Sequence, residues 1–425
     1  MKLSNSLIIG AIALTTSSAA IAADQTDYDI FNQQFLEAIN TRESGDIFAS
    51  IEMLEQLIET QPEYKRAQLE LAVAYFRATL FTQAKAHAQE VLADPNTPAE
   101  VKETIDIFLG QLADIETAEN ENRHTYEGSV AVGIGKDSNI NASPADNIID
   151  INGIQFTLNP GSIAQEANYG TINVQMSHTY RMPGTAGIGS RPVKKEWNTS
   201  VALSRKAYQD IGDYNLDVAT IQTGIGLISS TNWRAGLNLR LDHISLGDEQ
   251  LGLFKGINGN YTIVDDASSY TVTAEMTDQD FNSSANDGRD GLRLGLGTEM
   301  QQQFNQELLG SIGVNLARND AKDDNKQYVS KAINTALYYA VNPATLVYGQ
   351  VGYKVVDYNG VEPVYAVTRN DSEVSATVGA TYNFKTPSLG DLKLNGKISR
   401  YNNTSDVSIY EYERTDAMVE LSKNF

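Results

Sequence analysis

Few residues in this 425-residue chain have the type and spacing to do chemistry. Four histidines, His87, His124, His178 and His243, are scattered along it, and none sits in an HExxH or comparable ligand pattern. There is no GxSxG nucleophile motif. An enzyme would have to rely on His178 or His243 beside an Asp or Ser. The preferred reading is no enzyme, no catalytic residue and no cofactor. The acidic stretches Asp287-Gly288-Arg289-Asp290 and 320–324 lack the full ligand spacing of a calcium loop and read as solvated loops without metal. Gly224 and Gly226, like Gly291, Gly295 and Gly297, lie in alternating stretches, where they leave room for packing instead of cradling phosphate. The absence of cysteine excludes disulfides, thiolate metal sites, cysteine nucleophiles and lipidation of an N-terminal cysteine.

The elements that position these residues fall into two unlike regions. Only Gly10, Gly45 and Gly110 of the 32 glycines precede residue 123, and 18 of the 21 tyrosines follow residue 122. Acidic residues outnumber basic ones by 54 to 32, and a formal charge of −22 excludes nucleic acid as a partner of the whole chain. No run beyond the N-terminus reaches the roughly 18 apolar residues of a membrane helix, which excludes a helical membrane protein.

Residues 1–22 read as a secretory signal peptide: Lys2, an apolar core over 7–14, and Ala20-Ile21-Ala22 as the cleavage site. Residues 23–122 are expected to form a short periplasmic helical domain. Phe48, Ile51, Leu54, Leu57 and Ile58, then Leu69, Leu71, Ala72, Tyr75 and Phe76, recur at helical spacing. Pro62 and Pro95 lie 33 residues apart, and Leu71, Ala72, Tyr75, Ala84, Ala88 and Pro95 fall near tetratricopeptide packing positions. A plain helical bundle is the alternative.

From residue 123 to 425 the period changes to two. In 233–242, Trp233, Ala235, Leu237, Leu239 and Leu241 share one face, while Arg234, Gly236, Asn238, Arg240 and Asp242 share the other. Such alternation suits a transmembrane barrel, apolar to lipid and polar to a wet lumen. Fourteen strands are expected, beginning near Tyr126, Tyr169, Glu196, Tyr214, Thr231, Leu251, Ser269, Gly291, Glu307, Tyr328, Thr345, Val374, Asp391 and Tyr410. Tight joins alternate with longer loops at 136–166, 278–290, 318–326 and 357–370. The stretch 181–195 is an exception, read as a solvated loop slightly ahead of a contact with the acidic helical domain. Arg234, Arg240, Arg293, Glu299, Lys393, Lys397, Glu127 and Glu420 would line a mixed-charge lumen, which argues against strong ion selectivity. Tyrosines and tryptophans at strand ends, among them Tyr180, Trp197, Tyr208, Trp233, Tyr261, Tyr348, Tyr382 and Tyr401, suit two interfacial belts. Val419, Leu421 and the terminal Phe425 form the pattern read by the bacterial barrel-assembly machinery.

This arrangement resembles the surface lipoprotein assembly modulators (Slam) of Gram-negative bacteria. The residues that carry the resemblance are the repeat ending in Asp94-Pro95, the first-strand segment Gly133-Ile134-Gly135-Lys136-Asp137-Ser138-Asn139-Ile140-Asn141, and Leu421-Ser422-Lys423-Asn424-Phe425. The resemblance implies a periplasmic tetratricopeptide domain followed by a 14-stranded outer-membrane barrel. It further implies translocation of client surface lipoproteins or secreted haem-binding proteins, with outer-membrane lipid, the assembly machinery and periplasmic chaperones as partners. Asp137, Ser138, Asn139 and Asn141 match the family motif, with a hydrogen-bonded turn at the mouth of the first strand as the plain reading. In the translocator reading the seam between first and last strands is open or weakly sealed. A passive or polysaccharide-exporting porin, and an adhesin acting through loops 136–166 and 357–370, are the other classes.

Overall fold

The computed structural model describes residues 25–151, 153–188, 191–229 and 232–425. The expected signal peptide lies outside the described residues. The chain divides into two compact units, one of residues up to Arg123 together with Met182–Lys195, the other of His124–Arg181 and Glu196–Phe425.

The first unit holds five helices, α1 (Gln25–Glu43), α2 (Ile47–Thr60), α3 (Lys65–Arg77), α4 (Phe81–Ala93) and α5 (Ala99–Glu121). Gly45, at φ +97°, stops α1. Asp46 N–H donates to Thr41 O and Gly45 N–H to Arg42 O, the paired bonds that satisfy carbonyls at a glycine-capped helix end. The apolar stripes of the helices meet in a core of Phe31, Phe35, Ile51, Leu54, Leu71 and Leu112. Ala72, Ala84 and Ala88 are fully buried and allow close helix approach. Tyr75 stacks on His87 at 5.5 Å and donates its hydroxyl to Glu55. Pro95 is exposed, and follows the cap residue Asp94 where α4 stops.

Met182–Lys195 is not a solvated loop. Thr185 donates its hydroxyl to Ala78 O, Gly187 lies under the Phe48 ring, and Arg191 Nε reaches Asp46 Oδ1 at 3.2 Å. The acidic helix junction attracts the guanidinium, and extended backbone continues along Ala167–Ile188 and from Arg191 onward.

The second unit is built on β1 (His124–Asp137), β4 (Ala167–Ile188), β5 (Arg191–Tyr208), β6 (Leu216–Ser229), β7 (Trp233–Leu246), β8 (Glu249–Val264), β9 (Ser268–Phe281) and β10 (Gly291–Gln303). It continues with β11 (Leu308–Ala321), β12 (Tyr328–Asn342), β13 (Thr345–Glu362), β14 (Val367–Thr386), β15 (Gly390–Ser405) and β16 (Tyr412–Asn424). These fourteen antiparallel strands close into a barrel, each beside its sequence neighbour, with β1 between β4 and β16. A separate hairpin, β2 (Ile148–Ile151) with β3 (Ile154–Thr157), sits within the long connection after β1.

Apolar side chains point outward along the strands, as with Val130, Val132 and Ile134, or Leu237, Leu239 and Leu241. A closed barrel satisfies every ladder hydrogen bond internally, which lets such a surface face hydrocarbon. The connections at 265–267, 304–307, 343–344 and 387–389 mark a turn end; the opposite, loop end carries 138–166, 282–290, 322–327 and 406–411. The expected loop at 357–370 is instead strand, leaving a short connection at 363–366.

Outward aromatics gather at the turn end, including Tyr126, Trp197, Trp233, Tyr261, Tyr339 and Tyr382. Tyr208, Tyr348 and Tyr401 do not belong to a belt. By the period-two alternation they share the inward face, where Tyr208 meets Asp137 and Tyr348 meets Asn395. The loop end of the exterior carries ion pairs instead of a second aromatic belt: Lys136–Glu166, Arg205–Asp217, Lys331–Asp357 and Arg400–Glu413.

Candidate functional site

The lumen is assembled by strand alternation, so its chemistry is set by which residues occupy the inward positions. At its loop end β1, β4, β5 and β16 contribute a cluster around Asp137, which is completely buried. Arg414 donates Nε to Asp137 Oδ1 at 3.0 Å and Nη2 to Oδ2 at 2.6 Å. Lys206 Nζ and the Tyr208 hydroxyl each donate to Oδ2 at 3.2 Å, and Asn139 N–H donates to Oδ1 at 3.1 Å. Asp416 accepts from Tyr169 at 2.7 Å and Lys206 at 3.1 Å. Lys206 Nζ also lies 3.8 Å from the Tyr169 ring centroid. Gly135 makes room for that ring, since a Cβ there would meet it at 2.3 Å.

The rest of the first-strand motif works across the same line. Ser138 N–H donates to Thr415 O and its hydroxyl accepts from Thr415 N–H. Asn139 donates to Glu413 O at 3.0 Å and to Ser143 O at 2.8 Å. Asn141 donates to Ile163 O and accepts from Gln165 N–H, folding the long connection back. Below, β1 and β16 pair from Ser129–Asn424 to Asp137–Asp416. Gly128 and Phe425 exchange both backbone bonds at 2.8 and 2.9 Å. The seam is therefore fully hydrogen-bonded, in place of the open or weakly sealed one expected. Val419, Leu421 and Phe425 face outward along it, and the Phe425 ring covers Gly128.

Some lumen charges are paired within the wall and others are not. Arg240 pairs with Asp242 at 2.8 Å, Arg293 with Glu275, and Arg369 with Asp371. Glu299 accepts from Gln301 at 2.8 Å, and Glu420 from Asn173 at 3.3 Å. Arg234, Lys393, Lys397 and Glu127 occupy inward positions and form no ion pair among the described residues. A mid-barrel chamber of about 410 Å³ is lined by hydroxyls and amides from Thr271, Thr273, Asn315, Asn334, Ser375 and Thr377.

Nearer the loop end is a second chamber of about 510 Å³ with aromatic walls. Tyr328 and Tyr358 lie 5.5 Å apart at 57°. The Arg369 guanidinium sits 4.6 Å from the Tyr358 ring and 3.4 Å from that of Tyr410. Arg289 stacks 4.4 Å from Phe281. Outside the spanning strands, Asp290 accepts from Lys322 at 2.8 Å and from Phe281 N–H at 2.7 Å. The lysine first and the amide second hold its carboxyl below the usual range, and the same bond raises the Lys322 ammonium.

His178 stacks with His124 and Tyr126 on the outward face at the turn end, and His124 Nδ1 lies 2.9 Å from His178 Nε2. Neither pairing supplies a nucleophile with its base. Among the described residues no three acidic or histidine side chains gather as metal ligands. Asp290 is engaged by Lys322, and Asp320 by Arg318.

Residues 258–422 match the family model described as "Protein of unknown function (DUF2860)". No curated protein matches the chain. Among solved structures the chain is similar to a "Bacterial polysaccharide outer membrane secretin", with TM-score 0.36, 11% identity, and 71% of this chain covering 97% of that one. It is similar to OmpT, an outer membrane protein of Vibrio cholerae, with TM-score 0.39 and 7% identity over 71% and 97% of the two chains. It is also similar to the outer membrane channel DcaP of Acinetobacter baumannii, with TM-score 0.38 and 10% identity over 71% and 97%.

Proposed function

We propose that this chain is an outer-membrane conduit for polar solutes, with its helical unit in the periplasm. The observation that carries the reading is the contrast between an apolar exterior and a lumen of hydroxyls, amides and compensated ion pairs. Water and hydrogen-bonding solutes are stabilised in such a lumen, and it has little net field to exclude either sign of ion. The helical unit leads directly into β1 at the turn end, which in barrels of this class faces the periplasm. Purified full-length protein in planar bilayers is expected to give stepwise, weakly ion-selective conductance. Protein that inserts but passes no current overturns the reading.

Transport of surface lipoproteins or secreted haem-binding proteins is the finer reading, supported by the stacked helices with their buried Ala72, Ala84 and Ala88. Those helices then act as a tetratricopeptide-like receiver for clients or chaperones. In this reading a client crosses unfolded, in keeping with a closed seam and chambers of a few hundred Å³. Deleting the gene and labelling intact cells with antibody tests it. Undiminished display of every lipoprotein encoded nearby removes it.

A further inference from the structure

We infer that the aromatic chamber at the loop end is a saccharide-binding site, which rests on the conduit reading and gives it a substrate class. Two polar groups on its walls are without an ionic or hydrogen-bonding partner of their own, one buried and one open to solvent. Asn319 is 6% exposed and donates Nδ2 to Lys326 O, while its Oδ1 has no partner. A buried acceptor left in this state is destabilised until a donor meets it. The exposed Arg289 guanidinium sits 4.4 Å from the Phe281 ring centroid, and among the described residues no carboxylate comes within ion-pair distance of it. One wall thus asks for a donor and the other for an acceptor.

That combination discriminates among ligand classes. An apolar molecule leaves both demands unmet. An inorganic anion answers Arg289 and repels the Asn319 carbonyl oxygen. An amine answers Asn319 and Asp323 and is repelled by the three cations of the lining, Arg289, Lys326 and Arg369. A polyhydroxylated ring answers both, because each hydroxyl donates and accepts. Its C–H face then lies against Tyr328 and Tyr358, whose tilted rings present apolar surface with a polar tip. Arg369 is held by two 2.9 Å bonds from Nε to Asp371 and by its two tyrosine neighbours, so this wall is rigid before a ligand arrives. A volume of about 510 Å³ falls within the range of small-ligand sites, roughly 300–1,000 Å³, and holds a short oligosaccharide. The hydroxyl- and amide-lined chamber further down offers the same chemistry to the next sugar units.

The test is titration calorimetry on the full-length protein in detergent, using maltohexaose as a neutral probe, hexagalacturonate as an acidic one and sodium sulfate as the ion control. Saturable binding of either sugar is expected, weakened about tenfold or more by Tyr358→Ala and by Arg289→Gln. Arg289→Gln removes an exposed guanidinium from the turn Asp287–Arg289, and heat-dependent gel mobility reports whether each barrel has folded. Absence of sugar binding at millimolar concentration overturns the inference, as does binding that both variants leave unchanged or sulfate binding alone. Bilayer recordings separate the two readings. Current without sugar binding removes the saccharide site and leaves the conduit, whereas sugar binding without current removes the conduit.

Discussion

Asp137 on the first barrel strand and Arg414 on the last hold each other through two hydrogen bonds, 3.0 and 2.6 Å, across the line where the barrel closes. Lys206 and Tyr208 bind the same carboxylate, so one side chain ties together strands from both ends of the domain. Removing one partner of a buried ionic cluster leaves the others uncompensated, which typically costs about 3–5 kcal/mol. Asp137→Ala is expected to lower the temperature at which the barrel loses its heat-resistant gel mobility. Arg414→Leu should act in the same direction, and the double variant should cost less than the two single losses added. Full additivity in that cycle would deny the pairing.

Phe425 lies over Gly128, where a Cβ would come within 2.4 Å of its ring. Gly128→Val is expected to displace the terminal ring and reduce the folded fraction in outer-membrane preparations. Phe425→Ala in the same background should recover part of the loss, since the clash disappears with the ring. Pulse-chase protease protection measures both.

Arg240 neutralises Asp242 within the lumen. Arg240→Ala leaves that carboxylate unpaired and is expected to move the conductance toward cations, read as a shifted reversal potential under a salt gradient. Arg318→Ala, on the exterior, should leave the reversal potential where it was.

The helical unit has a pH window set by Glu43 and Tyr75. Burial alone would raise Glu43, but the Arg77 hydrogen bond and the charges of Arg77 and Arg42 bring it below the ordinary range. A carboxyl lowered on folding adds stability above its unfolded value, near 4.3, and loses it as pH falls through the folded one. Glu43 is half exposed, so its share is small, on the order of 0.5 kcal/mol. Tyr75 is raised, first by burial and then by Glu55. Its contribution is complete below its unfolded value, near 10, and declines as pH rises toward the folded one. Helical circular dichroism of the full chain should therefore melt highest between these limits. Tyr75→Phe is expected to flatten the alkaline limb only.

Strand alternation was legible wherever a strand crosses lipid: Gly291, Tyr328 and Thr345 begin strands as their sequence pattern indicates. It failed where strands run beyond the apolar band. Strand β14 begins at Val367, not Val374, because Thr368 to Glu373 are polar on both faces and carry no period-two contrast. Arg191–Lys195 lacks period-two contrast for another reason, since its buried residues Pro192 and Val193 are adjacent. The β2–β3 hairpin had a usable sign, Asn152-Gly153 between two isoleucine-bearing stretches, with Gly153 at φ +84°. Asp137 and Asn139 stood out as motif residues, yet their partners at 413–416 did not. No local period links residues so far apart, and the same is true of the chamber that gathers Phe281, Arg289, Asn319 and Tyr358.

The clasp between Asp137 and Arg414 spans 277 positions of the chain. During synthesis and export β1 waits with one edge unpaired until the final strand arrives, an exposure that invites mispairing with other chains. Closure is thus a single late event, and the time a chain spends unclosed is a property of its length.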